Sequence, residues 1–148
     1  MGVGALIDTN VLVYRFDPRF PEKQRTATDL LRQGIVEGNL RVPHEAIIEF
    51  VAAVSRPVGQ EGPLLAPGDA YLEAEDLINQ FEVLYPNESI VRLAIRGAAT
   101  YHIPWFDANI WAYAEYYGLG ELISEDFQHD RLYGRVRTVN PFINRPPK

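Results

Sequence analysis

Four acidic residues lie at places where a folded chain could bring them together. Asp8 ends a short apolar run, and Asp126 lies just past a second apolar run at 121–124. Asp107 precedes an apolar segment with helical spacing, and Glu49 interrupts another such segment between two large apolar residues. Carboxylates that converge in this way can hold a divalent cation, because hard cations prefer oxygen ligands.

The chemistry expected of such a cluster is hydrolysis of a phosphodiester bond. An aspartate at the end of a buried strand destabilises the fold unless its charge has a partner, and a cation is a simple partner for several carboxylates. All-oxygen ligation favours Mg²⁺ or Mn²⁺ over Zn²⁺, and one or two such ions can activate a water and polarise a phosphoryl oxygen. The chain has no cysteine, which excludes zinc–thiolate sites and thiolate catalysis.

Each acid also has an interpretation that involves no chemistry. Asp8 and Asp107 could cap the helices that follow them, Glu49 could point into water, and Asp126 could belong to a turn. Taken one at a time, these alternatives stay open. Only the combination of four acids favours a common site.

Short apolar runs alternate with longer amphipathic segments along the chain. This order predicts an α/β fold in which a mostly parallel sheet of five strands lies between helices on both faces. Because ligands of such sheets bind beyond the carboxyl ends of the strands, the acids are expected at that edge. The predicted strands are 5–8, 40–43, 82–85, 121–124 and 136–139, and the predicted helices are 10–16, 22–37, 44–56, 69–81, 88–101 and 107–117.

The net charge of −6 argues against a protein that binds nucleic acid through a broad basic face. A nuclease is still compatible with this charge, since a carboxylate cluster contributes to it. No segment reaches the roughly 18 to 20 consecutive apolar residues that a membrane span needs, and no leader peptide is evident at the N-terminus. We therefore expect a cytoplasmic protein that does not bind to a membrane.

The segment Ile7-Asp-Thr-Asn-Val-Leu-Val-Tyr14 resembles the opening motif of PIN-domain proteins, especially the VapC toxins of prokaryotic toxin–antitoxin pairs. Three later segments resemble the other acidic motifs of that family, in the same order and at similar spacing. They contain Glu49, Asp107 and Asp126, in the segments 46–50, 104–112 and 122–127. The resemblance extends from about residue 5 to residue 142.

This resemblance implies one PIN-like domain over residues 1–148, a three-layer α/β/α sandwich. From the sequence pattern alone, the Pro/Gly-rich stretch and the amphipathic segment at about 57–81 are expected to form a helical protrusion on this domain. The resemblance implies that the four acids hold Mg²⁺ or Mn²⁺ and catalyse endonucleolytic cleavage of RNA. Thr9, Asn10 and Ser124 would support the site through hydrogen bonds. The resemblance also implies a homodimer and a VapB-type antitoxin as the inhibitory partner.

Several residues near the first acid could contact RNA. The basic side chains of Arg15, Arg19 and Lys23 could hold phosphates, or they could form a solvated helix face, and the sequence favours neither. The aromatic side chains of Tyr14, Phe16 and Trp105 could stack on bases, although aromatic residues beside a helix start more often belong to a core.

Two other functions are compatible with parts of this pattern. A PIN-like RNA-binding or scaffold module that has lost catalysis would share the fold, but it would have no reason to keep four acids. A phosphatase with Asp8 as covalent nucleophile would usually carry a second aspartate two positions later, where this chain has Asn10.

Overall fold

The computed structural model, which describes residues 4–143, contains six strands and six helices. A pair of helices follows each of the first three strands, and the last three strands follow one another. The outermost residues of the predicted domain, 1–3 and 144–148, lie outside the described residues. The strands are β1 Ala5–Ile7, β2 Leu40–Pro43, β3 Glu82–Leu84, β4 Glu121–Ile123, β5 Arg131–Tyr133 and β6 Val136–Val139. The helices are α1 Thr9–Tyr14, α2 Pro21–Glu37, α3 His44–Ser55, α4 Pro67–Gln80, α5 Glu88–Tyr101 and α6 Trp105–Tyr117.

The strands form a single sheet in the order β3-β2-β1-β4-β6-β5. All neighbouring strands run parallel except β5, which pairs antiparallel with β6. The prediction of a mostly parallel sheet between helices is confirmed, but the count of five strands is one too low. The missed strand is the edge strand β5. Its Arg131 and Leu132 are exposed, so the strand has no run of buried apolar residues that the sequence pattern could indicate.

Two apolar cores lie on opposite faces of the sheet. In β1, the side chains of Ala5 and Ile7 join one core with α1, α2, α3 and α4, whereas Leu6 joins the other core with α5 and α6. In β4, Leu122 and Ile123 divide between the two cores in the same way. This alternation follows from the period of two along a strand, and it makes the three-layer α/β/α arrangement.

Helices α3 and α4 leave some of their large apolar side chains at the surface. Ile48 on α3 is 57% exposed, and Leu72 on α4 is 63% exposed. The residues that α4 buries are Ala70, Ala74 and Leu77. Small alanines allow α4 to pack closely, so the larger apolar side chains beside them stay at the surface.

The loop at 56–66 and α4 occupy the range of the predicted protrusion. Leu65 donates its backbone N–H to the carbonyl of Val54 at 2.9 Å, which fastens the end of this loop to α3. That this range forms a protrusion stays a prediction. Between residues 4 and 143, no helix is both long enough and apolar enough to cross a membrane.

Helices α5 and α6 pack in close contact at Gly97. A Cβ atom built at this position would collide with the indole ring of Trp111. Trp111 is buried, and its indole N–H donates to the carbonyl of Tyr133 at 2.9 Å. The absence of a side chain at Gly97 therefore sets the position of α6, the helix that carries Asp107.

We predict that Gly97→Ala lowers the free energy of unfolding by about 1–3 kcal/mol, because the added methyl overpacks the contact with Trp111. Urea unfolding followed by tryptophan fluorescence measures this change. Gly68→Ala is the matched control, since a Cβ there meets nothing within 4 Å and alanine favours a helix. If the two variants are equally stable, the close packing at Gly97 does not contribute to the free energy of unfolding.

Candidate metal centre

Three of the four predicted acids meet at the carboxyl edge of the sheet. Asp8 follows β1, Asp126 follows β4 by three residues, and Asp107 is in the first turn of α6. One oxygen from each of these carboxylates lies within 4.8 Å of the other two. The strands on either side of β1 come from different parts of the chain, so β1 marks the point where the strand order reverses.

The register of β1 and β4 brings the first and last acids together. Ile7 pairs with Ile123, and the N–H of Asp8 donates to the carbonyl of Ile123 at 3.0 Å. Both chains then leave the sheet at the same level. Residues more than a hundred positions apart are thereby placed at one site.

The Asp8 carboxylate is buried, with 4% of the residue exposed. It accepts hydrogen bonds from the Thr9 N–H and from the Ser124 hydroxyl, each at 2.7 Å. Burial raises the pKa of Asp8 to about 7, although both hydrogen bonds act in the opposite direction and Asp126 and Asp107 add repulsion. Asp8 therefore caps α1 and belongs to the acid cluster at the same time.

Asp107 is half-buried and does not cap α6, whose N-cap residue is Pro104. Burial raises the pKa of Asp107 to about 6, with further contributions from the charges of Asp126 and Glu49. The Asp107 carboxylate is therefore oriented towards the other acids and contributes to their mutual repulsion.

Glu49 is at the margin of this cluster. It is exposed on α3, and its carboxylate accepts a hydrogen bond of 2.6 Å from the Thr9 hydroxyl. Thr9 directly follows Asp8, so this bond keeps Glu49 beside the cluster. Glu49 is not among the acids whose oxygens lie within 4.8 Å of one another.

Asn10 and Ser124 connect the acids through hydrogen bonds. The Asn10 amide donates to Asp126 at 3.1 Å and to the Ser124 hydroxyl at 3.2 Å. The Ser124 hydroxyl in turn accepts the N–H of Asp126 at 3.0 Å while it donates to Asp8. The orientations of Asp8 and Asp126 are therefore coupled through one buried hydroxyl.

The donor set fits a hard divalent cation. Three carboxylate oxygens within 4.8 Å of one another and no sulfur donor match the ligand preference of Mg²⁺ and Mn²⁺. The raised pKa values of Asp8 and Asp107 show that this site favours positive charge, whether a proton or a cation supplies it.

The basic residues near the first acid are each in an ion pair. Their closest N–O distances are 3.6 Å for Arg15–Glu73, 2.7 Å for Arg19–Asp17 and 2.9 Å for Lys23–Glu125. These pairs balance the local positive charge.

The sequence interpretation missed Glu125 and Asp17. Glu125 accepts the Tyr14 hydroxyl at 2.6 Å and also pairs with Lys23, so this aromatic ring is held beside the site. Asp17 is 2% exposed and accepts two side-chain N–H groups of Arg19. The only signal for these roles is position in the sequence. Glu125 is next to Asp126, and Asp17 is two residues before Arg19.

We predict that the metal-free protein becomes less stable as the pH rises from about 4 to about 7. In this window the folded chain keeps a proton on Asp8 that the unfolded chain releases, so the free energy of unfolding falls with increasing pH. Asp8→Asn should remove a part of this loss of stability on the order of a few kcal/mol over the whole window, because the amide cannot ionise. Urea titrations in a chelator, at several pH values, measure both slopes. Identical slopes would contradict the assignment.

The comparisons with known proteins agree with this geometry. The PIN-domain profile matches residues 5–135, whereas no curated protein matches the sequence. Among solved structures, a toxin–antitoxin complex from Klebsiella pneumoniae is 20% identical, with a TM-score of 0.67 over 93% of this chain and 98% of that chain. A DNA-bound VapBC structure from Salmonella typhimurium is 14% identical, with a TM-score of 0.68 over 92% and 96%.

A sarcin-ricin loop cleaving VapC toxin from Mycobacterium tuberculosis is 11% identical, with a TM-score of 0.57 over 80% of this chain and 87% of that chain. At these identities the likeness concerns the fold. The profile match covers most of the chain, from the strand that precedes the first acid to the residues beyond the last one. The chain therefore belongs to the PIN-domain family.

Proposed function

We propose that this protein is a metal-dependent endoribonuclease that hydrolyses RNA phosphodiester bonds, and that it is the toxin of a VapBC-type toxin–antitoxin pair. The observation that carries the proposal is the meeting of Asp8, Asp107 and Asp126, with one oxygen from each within 4.8 Å of the others. Three carboxylates at such distances repel one another, and a divalent cation is the partner that relieves this repulsion and also serves phosphodiester chemistry.

In this proposal Asp8, Asp107 and Asp126 hold Mg²⁺ or Mn²⁺, and Glu49 completes the acidic set from the adjacent helix. When bound, the cation would supply Lewis-acid stabilisation of the charge that develops on the phosphate. Ser124 and Asn10 position Asp8 and Asp126 through their hydrogen bonds. Thr9 keeps Glu49 in reach of the cluster.

RNA as the substrate class is supported by membership of the PIN-domain family and by the similar structures. These include toxin–antitoxin complexes and a sarcin-ricin loop cleaving toxin. On the same grounds we propose a VapB-type antitoxin as partner, a homodimer, a single domain over residues 1–148 and action in the cytoplasm. Arg15, Arg19 and Lys23 are proposed to contact the RNA beside the acids.

We predict that Asp107→Asn lowers the rate of RNA cleavage by at least about 1,000-fold, because removing one ligand charge weakens cation binding and the stabilisation it provides, and several kcal/mol correspond to that factor. A gel assay on a single-stranded RNA in Mn²⁺ measures the rate. Asp29→Asn, at an exposed acid on α2, is the matched control and should keep full activity. An active Asp107→Asn variant with native circular dichroism would contradict the catalytic assignment.

We also predict that Mn²⁺ raises the melting temperature of the wild-type protein but not that of Asp8→Asn. A cation that binds only the folded state adds about 2.7 kcal/mol of stability at 100 times its dissociation constant. Differential scanning fluorimetry with and without the ion measures the shift. A catalytically inactive scaffold would show no shift that depends on these acids, and such a result would favour the alternative function.

A further inference from the structure

A cavity of about 350 Å³ opens directly beside the acids. Its lining includes Asn10 and Asp126 from the acidic site, together with Tyr14, Arg19 and Phe20. Its volume is within the range of about 300–1,000 Å³ that is usual for sites of small organic groups. Whatever occupies this cavity is therefore adjacent to the proposed site of hydrolysis.

Phe20 is the aromatic side chain that this cavity leaves open to solvent. The residue lies in the short link between α1 and α2 and is 43% exposed. Phe20 and Arg19 also line a second hollow of about 370 Å³, together with residues 21–23. This pair of residues therefore adjoins two hollows, so a ligand can reach both side chains from solvent.

The ring of Phe20 is held in place by its neighbours. The ring of Tyr14 meets it edge-to-face, with 5.7 Å between the centroids. Two cations lie over the Phe20 ring, the Arg19 guanidinium at 5.3 Å and the Lys23 ammonium at 5.6 Å from its centroid. Arg19 is in turn fixed by the buried Asp17, which accepts its Nε at 2.9 Å and its Nη2 at 2.7 Å. An exposed ring with a fixed orientation loses little conformational freedom when a ligand stacks on it.

The charges around the cavity identify what kind of ligand fits. Arg19 and Lys23 are paired with Asp17 and Glu125, so this wall has little net positive charge to attract phosphates. The affinity of this wall for a ligand must therefore come mainly from the aromatic ring of Phe20. Nucleobases stack on such faces when they are unpaired, and this stacking depends little on which base is present.

We infer that Phe20, with the Arg19 guanidinium over its ring, is part of a stacking platform for an unpaired nucleobase next to the phosphodiester bond that is cleaved. This inference rests on the proposed ribonuclease function and adds to it a residue that contacts the substrate. The base that stacks there must be unpaired, because a base inside a duplex cannot reach the ring.

The test is a double-mutant cycle between the protein and the RNA. The cleavage site in a short single-stranded RNA is mapped first, and an abasic nucleotide then replaces each of the two nucleotides that flank the bond. For the wild-type protein, one of these replacements should lower kcat/KM by about 5- to 150-fold, the range expected for loss of one stacked base. Phe20→Ala should lower kcat/KM on the intact RNA by a similar factor and should show no further loss on the abasic RNA.

Phe20→Trp should retain most of the activity on the intact RNA, since the indole also offers a stacking face. Tyr117→Ala is the matched control, because Tyr117 is 42% exposed but lies about 15 Å along α6 from Asp107. A second measurement needs no cleavage. The dissociation constant of the intact RNA is compared between Asp107→Asn alone and Asp107→Asn combined with Phe20→Ala.

Three outcomes would overturn the inference. If Phe20→Ala and the abasic nucleotide lower kcat/KM independently of each other, stacking between Phe20 and that base is excluded. Unchanged RNA cleavage by Phe20→Ala, together with loss of antitoxin-peptide binding, would assign this platform to a protein partner. If the wild-type protein cleaves no RNA at all, the proposed function fails and this inference fails with it, whereas in the first two cases the ribonuclease function stands.

Discussion

Electrostatic repulsion among carboxylates is the constraint on which this structure depends. Asp8 is almost fully buried, and one of its oxygens lies within 4.8 Å of oxygens from Asp107 and Asp126. Burial and like charge both disfavour ionisation, so the pKa of Asp8 rises to about 7 and that of Asp107 to about 6. A fold that keeps such groups together carries an electrostatic cost, which a positively charged partner would relieve.

The rest of the fold positions these acids rigidly. The parallel register of β1 and β4 brings residues 8 and 126 to one edge, and the close contact of Gly97 with Trp111 sets α6 on the opposite face of the sheet. Ser124 then connects Asp8 to the backbone of Asp126. The acids cannot move far apart without breaking core packing, because β1, β4 and α6, which precede or carry them, all contribute to the two apolar cores.

The charges around the cluster bear on how the proposed RNA substrate would bind. The chain carries a net charge of −6, and the basic residues closest to the acids are in ion pairs. Long-range attraction to phosphate is therefore weak, and binding must depend on the cation and on short-range contacts such as stacking. Specificity for unpaired bases would follow from this arrangement, since duplex RNA presents mainly phosphates and sugars.

The sequence by itself determined the fold class, the alternation of strands and helices, and the identity of the acids, because these depend on local periodicity and on residue type. It could not reveal β5, which pairs only through its backbone at the edge of the sheet and has no apolar pattern. Nor could it show that Ile48 and Leu72 are exposed, since the packing of neighbouring helices decides which part of an apolar face is buried. Several features join residues that are distant in sequence. They are the ion pairs of Arg15 and Lys23, the hydrogen bond between Thr9 and Glu49, and the cavity beside Phe20. Only tertiary structure decides such contacts, because they depend on the relative positions of elements that local sequence does not encode.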